Sequence, residues 1–369
     1  VRMDGADVIG TSNRFSPLWN VSLKYNLHNE LFCSKCSWMN ELALRFSYGY
    51  TGSIDKQALP YNVLSYAFSH DFLGYEVPSN IRPKNPSIKW QKKQDRNFGV
   101  DVAVLKNRIR ATFNYYNNVM RNVLDTKTLP ISVGINSIRF NSASMRNYGF
   151  EVNLRTINLR YKDFSWSTNL NIAINRNKIL ESYYKKISDI PLGYGSTEPV
   201  EGTSAHSWLG YRFAGIDPLT GHTLALVDNS DRKNPIGFLR EDGSYVLDMD
   251  DQSNRKDIRL IKEVLGDSYP PISGGFGTTF TWKQLVLNGS FVFMAGHKIS
   301  AAYYSVAGTG TVSAAAKNVM KQEANRWRKP GDITNMPGYN ISGMSSSLQT
   351  DWYDRKLENG NYLKCSEIS

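Results

Sequence analysis

The chain has 369 residues, of which 44 are Lys or Arg, 33 are Asp or Glu and 3 are Cys. No stretch approaches the roughly 18 consecutive apolar residues of a membrane-spanning helix, and three cysteines are too few for a disulfide-built scaffold. The net charge of +11 is spread along the chain rather than gathered in a run, so nucleic-acid binding is not predicted. A membrane β-barrel stays open, because its strands alternate apolar and polar residues and average to a hydrophilic chain.

Period-two alternation of apolar and polar residues is the strongest local pattern. In 41–50, Leu42, Leu44 and Phe46 share one face, while Ala43 and Arg45 share the other. The segments with this pattern are, in chain order, 19–27, 41–50, 98–105, 109–116, 150–155, 164–174, 276–282 and 285–293. This repetition predicts an all-β antiparallel fold, but a soluble β-sandwich alternates in the same way.

Aromatic positions and connection lengths favour a transmembrane barrel over a sandwich. Aromatic residues near predicted strand ends on the apolar face are Trp19, Tyr48, Tyr50, Phe98, Tyr115, Phe164, Trp166 and Trp282. Membrane barrels carry such rings at both interfaces. Short connections at 106–108, 156–163 and 283–284 alternate with long ones at 51–96, 117–147, 175–271 and 297–360. Outer-membrane barrels have short periplasmic turns and long extracellular loops, whereas structureless loops above about 15 residues are unusual in globular domains.

The long connections carry structural signals of their own. Residues 207–228 are expected to form a small hairpin, and 313–326 read as a short helix with Ser313 as its N-cap. No motif for catalysis or phosphate binding stands out, and no spacing argues for the paired carboxylates of a β-rich hydrolase. The sequence therefore predicts neither an enzyme nor a cofactor.

A series of short motifs resembles the SusC/RagA-type TonB-dependent outer-membrane transporters of Bacteroidetes. In chain order they include 2–5 (RMDG), 44–52 (LRFSYGYTG), 85–92 (NPSIKWQK), 145–151 (MRNYGFE), 215–221 (GIDPLTG), 274–276 (GGF), 326–332 (RWRKPGD) and 362–364 (YLK). Their common order along the chain, rather than any single motif, carries the resemblance.

The resemblance implies part of an antiparallel barrel of about 22 strands in the outer membrane of a Gram-negative bacterium. Residues 1–369 would form barrel wall, with the plug domain and the closing C-terminal strands absent from the chain. The implied activity is uptake of oligosaccharides or peptides under a SusD-like surface lipoprotein, energised by the TonB complex through the missing N-terminal part. Outer-membrane lipid is a further implied partner, and a homodimer stays open. The alternative, from another class, is a soluble secreted β-rich carbohydrate-binding protein whose apolar faces pack together.

Candidate contact residues fall into two groups. Loop aromatics that could stack on sugars or pack against a partner are Tyr61, Tyr66, Trp208, Tyr211, Tyr303 and Trp327. Trp208 and Trp327 could equally be the cores of folded loops. Polar residues on the inward face, expected to contact the plug and lumen water, are Arg45, Asp101, Arg110 and Glu151.

Two clusters suggest weaker chemistry. Cys33 and Cys36 have C-x-x-C spacing, which favours a periplasmic disulfide or two incidental thiols over a zinc or redox site. Asp242, Asp248 and Asp250 offer oxygen ligands suited to Ca²⁺. A solvated acidic loop is the favoured interpretation, and no metal site is predicted.

Overall fold

A computed structural model describes residues 1–7, 9, 13–31, 36–54, 61–70, 75–82, 84–85, 87–128, 132, 137–190, 198–300, 324–338 and 354–369. The chain divides into two compact units. The sheet unit comprises Val1–Tyr183, Pro271–Phe293 and Leu363–Ser369. The insert unit comprises Tyr184–Pro270 and Met294–Tyr362.

Most described elements are strands. In chain order they are β1 Arg2–Gly5, β2 Phe15–Asn26, β3 Met39–Ser53, β4 Val63–His70, β5 Glu76–Arg82, β6 Gln91–Val104, β7 Ile109–Thr128, β8 Ser137–Arg160, β9 Phe164–Glu181, β10 Ser207–Gly210, β11 Phe213–Ile216, β12 Thr223–Val227, β13 Phe238–Leu239, β14 Tyr245–Asp248, β15 Glu263–Asp267, β16 Ile272–Trp282, β17 Leu285–Ala295, β18 Lys298–Ser300, β19 Leu357–Asn359 and β20 Tyr362–Ile368. A short α-helix, α1, spans Arg255–Leu260, and 3-10 turns lie at Leu27–Asn29, Ile187–Asp189, Gln252–Asn254 and Asp354–Lys356. Within the described ranges, no helix is long and apolar enough to cross a membrane.

A ten-stranded sheet forms the sheet unit, in the order β1-β2-β3-β6-β7-β8-β9-β16-β17-β20. Each pair of neighbouring strands from β1 to β16 in this order is antiparallel. Neighbours in the sheet follow each other along the chain, apart from strands inserted in the long connections. The hairpin β4–β5, for example, lies between β3 and β6. The predicted all-β antiparallel fold is confirmed.

The two faces of this sheet differ in chemistry because alternating residues meet in continuous rows across the strands. One row consists of Leu23, Phe46, Phe98, Tyr115, Phe150, Ile174 and Ile272. The adjacent row, on the opposite face, consists of Lys24, Arg45, Gly99, Asn114, Glu151, Ala173 and Ser273. We call these the apolar face and the polar face.

The apolar face is exposed rather than packed against a second layer. Leu23, Phe150 and Phe46 have 66%, 56% and 50% of their surface exposed. On β9 the apolar face extends from Phe164 to Ile174, about ten residue steps or roughly 33 Å along the strand. A strand tilted by about 40° would project this length to roughly 25 Å, the height of the apolar band of a membrane barrel.

The strands are longer than alternation alone predicted. The connection expected over 117–147 is reduced to 129–136, because β7 continues to Thr128 and β8 begins at Ser137. Asn122 has φ +58° and the register shifts between Met120 and Val123. This bulge interrupts the period of two while the backbone pairing continues. The short turns at 105–108, 161–163 and 283–284 lie where short connections were expected.

The insert unit has a hydrophobic core of its own. Its strands form the sheet β11-β12-β14-β13 and the pairs β10–β15 and β18–β19. Buried residues of the main cluster are Tyr211, Ala225, Val227, Leu247, Met249, Ile258 and Ile261. The hairpin predicted within 207–228 is confirmed, because β11 pairs with β12. Residues 313–323 of the predicted helix lie outside the described residues.

Candidate functional site

A network of charge-assisted hydrogen bonds lies on the polar face where β3, β6 and β7 meet. The Arg45 guanidinium donates from Nε to Asp101 Oδ2 at 2.7 Å and from Nη2 to Asp101 Oδ1 at 2.9 Å. Nη2 also donates to Asn114 Oδ1 at 2.9 Å. Thr112 Oγ1 donates to Asp101 Oδ1 at 3.1 Å. The bidentate geometry fixes the planar guanidinium across three strands.

Gly99 makes room for this network. It lies between Arg45 and Asn114 in the register, and a Cβ added there would meet Arg45 Cζ at 2.8 Å. A larger residue would therefore push the guanidinium away from Asp101. Glycine is favoured here by the close approach of these side chains rather than by its backbone conformation.

The remaining predicted inward residues lie on the same face but outside this network. Glu151 opposes Asn114 in the register and is exposed. Arg110 lies near the turn, where Nη2 donates to Asn107 Oδ1 at 3.1 Å. The structure thus brings Arg45 and Asp101 together and leaves Arg110 and Glu151 separate.

An amide-rich ladder follows on β7, β8 and β9 and was not singled out from the sequence. Tyr116 Oη donates to Asn175 Oδ1, and Asn177 Nδ2 donates to Asn147 Oδ1 at 2.6 Å. Gly149 lies beside Tyr116, since a Cβ at Gly149 would approach its hydroxyl to 2.8 Å. The alternating asparagines were a visible signal, but only the register shows which of them meet.

The predicted loop aromatics occupy different environments. Tyr61 is 59% exposed, and Tyr66 lies in β4. Trp208 is half-buried and donates from Nε1 to the Lys298 carbonyl at 3.0 Å. Tyr303 lies outside the described residues.

Tyr211 is a core residue, which corrects the expectation that it contacts a ligand. Only 3% of its surface is exposed, and it belongs to the main cluster of the insert unit. Burial raises the pKa of its hydroxyl because the charged phenolate would be poorly solvated. Its ring fills the core, so a sugar or peptide cannot stack on it.

Trp327 joins two of the sequence motifs within the insert unit. Its Nε1 donates to the Pro218 carbonyl at 2.9 Å, and the amide of Gly331 donates to the same carbonyl at 2.9 Å. Gly221 has φ +74°, and a Cβ there would lie 2.5 Å from Trp327 Cε3. The 215–221 turn and the 326–332 segment therefore dock directly on each other. This favours the folded-loop interpretation of Trp327.

The acidic residues serve turns and a histidine. The Asp242 carboxylate accepts the Ser244 amide at 2.9 Å, and Asp250 Oδ2 accepts the Thr223 amide at 2.8 Å. Asp248 Oδ2 lies 2.8 Å from His222 Nδ1. Among the residues that the structure describes, no three His, Cys, Asp or Glu side chains gather to hold a metal ion.

The charged form of His222 is favoured by the carboxylates around it. Burial opposes its charged form, but the hydrogen bond and charge of Asp248, with the charges of Asp250 and Asp217, outweigh it and raise the pKa above 6.5.

Cys33 lies outside the described residues, and Cys36 and Cys365 are free thiols.

A cavity of about 540 Å³ lies within the insert unit, with a lining that includes Arg212, Asp228, Arg232, Lys262 and Glu263. Arg212 pairs with Glu263, and Arg232 Nη2 donates to the Leu260 carbonyl at 2.8 Å. Burial lowers the pKa of Lys262, opposed by the charge of Glu198. The lining is mixed in charge, so the cavity selects no single ligand class.

Comparison with known proteins identifies the family. Residues 1–352 match the family model described as TonB dependent receptor-like, beta-barrel. The chain belongs to this family. The family is one of outer-membrane transporters and receptors rather than enzymes, which places the chain in the outer membrane of a Gram-negative bacterium and not among soluble secreted proteins.

Named relatives of this TonB-dependent receptor chain agree with that assignment. TonB-dependent receptor P26 of Formosa agariphila is 27% identical over 312 residues, covering 81% of this chain and 30% of the relative. TonB-dependent receptor SusC of Bacteroides thetaiotaomicron is 26% identical over 230 residues, covering 58% and 23%. The chain thus spans less than a third of the length of these two relatives.

Solved structures show the same fold. The RagAB peptide importer in its closed-closed state superposes with a TM-score of 0.76 at 22% identity, covering 99% of this chain and 38% of that chain. The resemblance to SusC/RagA-type receptors and the outer-membrane barrel fold are confirmed.

Proposed function

We propose that this chain forms part of the barrel wall of a TonB-dependent importer that takes up oligosaccharides or peptides. A SusD-like surface lipoprotein would cover the entrance, and the TonB complex would act through a plug supplied by the rest of the full-length protein. The chemically opposed faces of the ten-stranded sheet carry the proposal. A wall between lipid and a polar lumen needs this arrangement, whereas a soluble protein would cover its apolar face.

The polar face is suited to holding a plug without sealing to it. Arg45, Asp101 and Asn114 present a fixed array of donors and acceptors, and the amide ladder continues it. Polar contacts of this kind can be exchanged for water when a plug moves, whereas a dry apolar contact would resist separation. We propose that Arg45, Asp101, Arg110 and Glu151 face the plug and lumen water.

A photo-crosslinking experiment in the full-length protein tests the assignment of the two faces. A benzophenone amino acid placed at Asn114 should crosslink to the plug portion of the same polypeptide. The matched control is Phe113, the residue that precedes Asn114 on β7 and lies on the apolar face, which should yield lipid adducts. Plug crosslinks from 113, or lipid adducts from 114, would contradict the assignment.

Growth tests the activity itself. A strain carrying the full-length protein is grown with an oligosaccharide mixture or a peptide mixture as the carbon source. Deleting the gene should abolish growth on one of the mixtures, and loss of the TonB complex should do the same. Loss of the SusD-like lipoprotein should reduce growth strongly. Undiminished growth without TonB would refute the importer.

A further inference from the structure

Basic side chains occupy the apolar face immediately beyond the apolar band, on the side of the long connections. In the register, Tyr48 opposes Arg96, and Tyr148 opposes Arg176. One step further the row reads Tyr50, Gln94, Val119, Arg146 and Lys178. Beyond it, Lys92 opposes Arg121. We call Lys92, Arg96, Arg121, Arg146, Arg176 and Lys178 the basic belt.

The acidic residue that follows the basic belt on β9, Glu181, accepts the Ser144 hydroxyl at 2.9 Å rather than forming an ion pair with a belt residue. No Asp or Glu occupies the rows just described, and within the described part of the chain no belt residue forms an ion pair. All belt residues are exposed except Arg146, which is half-buried. Arg146 Nε donates to Asn117 Oδ1 at 2.8 Å, and its guanidinium lies 4.6 Å from the centre of the Tyr148 ring.

A cluster of aromatic residues fixes the level of the belt relative to the apolar band. The ring of Trp19 lies 5.4 Å from those of Tyr48 and Tyr50. Gln94 Nε2 donates to both tyrosine hydroxyls, at 2.5 and 2.9 Å. Trp and Tyr with one apolar side and one polar tip prefer the membrane–water interface. The rows of Arg96 and Arg146 share the level of these rings, and the row of Lys92 and Arg121 lies one step further out, so the belt lies among lipid headgroups.

We propose that the basic belt binds phosphate groups of anionic lipids in the outer leaflet of the outer membrane. The belt spans four residues along β6, from Arg96 to Lys92, or about 13 Å along the tilted strand. This corresponds to about 10 Å of height, comparable with a headgroup layer. Arg forks and Lys ammonium groups are the usual phosphate partners in proteins.

Binding of lipid A by the purified full-length protein in detergent tests the proposal. The triple variant R96Q/R176Q/K178Q should bind bisphosphorylated lipid A about 100-fold more weakly, because each interfacial cation strengthens anionic-lipid binding about fivefold. The matched control is R108Q/R160Q/K162Q, which removes two Arg and one Lys from the short-turn end of the sheet and should leave affinity unchanged.

Two further arms identify the source of the phosphate. Fully dephosphorylated lipid A should bind the wild-type protein as weakly as bisphosphorylated lipid A binds the belt variant. Millimolar inorganic phosphate should displace little lipid, because it lacks the acyl chains that pack on the apolar face. Unchanged affinity in the belt variant, equal loss in the control, tight binding of the dephosphorylated lipid or complete displacement by phosphate would each overturn the proposal.

Discussion

Arginine substitutions along β8 should destabilise the folded protein in proportion to their depth in the apolar band. Tyr148 lies in the same row as the belt residue Arg176, and Phe150 lies in the first apolar row. Leu154 lies six residues beyond Tyr148, between Ala111 and Leu170. Six steps are about 20 Å along the strand, or about 15 Å of height, which places Leu154 near the bilayer midplane. Arginine there costs about 2–4 kcal/mol of folding free energy, falling to about 0–1 kcal/mol at the interface.

Unfolding of the full-length protein in lipid vesicles with denaturant, followed by tryptophan fluorescence, measures this gradient. L154R should lower the unfolding free energy most, F150R less and Y148R least. N153R is the matched control, because Asn153 is the preceding residue on β8 and lies exposed on the polar face. If N153R destabilises as much as L154R, or if the series shows no gradient, the apolar face does not contact lipid.

Three further predictions concern single contacts in the full-length protein. R45A should lower the unfolding free energy by about 1 kcal/mol, since this ion pair is partly exposed, and a double-mutant cycle with D101N should recover most of the loss as coupling energy. Because the pKa of His222 is raised above 6.5, its stabilisation is complete below about pH 6.5 and lost as pH rises through the folded pKa. Protection factors of the insert-unit amides, which correct for the rise of intrinsic exchange with pH, should therefore fall over that range in the wild type and not in H222Q. G221A should strongly accelerate proteolysis of the insert unit, because the new Cβ meets the Trp327 indole ring. G202A, at a glycine with similar positive φ but open space around it, should have a much smaller effect. Equal effects would show that backbone strain alone accounts for the change in proteolysis.

The strands could be predicted from the sequence because membrane-facing alternation is a local property. In 41–50 the alternation alone assigns each residue to a face, so β3 could be predicted without knowing which strands pair with it. The prediction was incomplete where the local alternation is interrupted. At Asn122 a bulge shifts the phase, and in 175–178 the residues on both faces are polar (Asn-Arg-Asn-Lys). The backbone pairing of β7 with β8 and of β8 with β9 nevertheless continues on both sides of these places.

Partners within the candidate site could not be predicted for the same reason. Arg45 and Asp101 were both expected to point inward, but they are 56 positions apart and meet only because β3 pairs with β6 in one register. Shifting that register by one residue would place the two side chains on opposite faces of the sheet. The sequence indicated the face of each residue, and the register determined the network.

Tyr211 shows the limit of reading loop aromatics as contacts. An aromatic residue in a polar connection looks available for binding only if the connection lacks a core. Here the connection between β9 and β16 folds into β10–β15 and α1, and seven residues of the main cluster are buried together. Once such a core exists, the largest apolar side chains enter it first, because they remove the most surface from water. Tyr61 lies in another connection and is exposed, so it remains a candidate for contact with a ligand or partner.

The docking of Trp327 on the 215–221 turn links sequence motifs that no local pattern could pair. Pro218 and Trp327 are 109 positions apart, yet the turn leaves a carbonyl free to accept two donors, and Gly221 leaves the space that the indole occupies. Each motif alone would be an ordinary turn or an isolated tryptophan. Together they connect two parts of the insert unit that are distant in sequence. A substitution in either motif should therefore loosen the packing of the other motif before it affects the ten-stranded sheet.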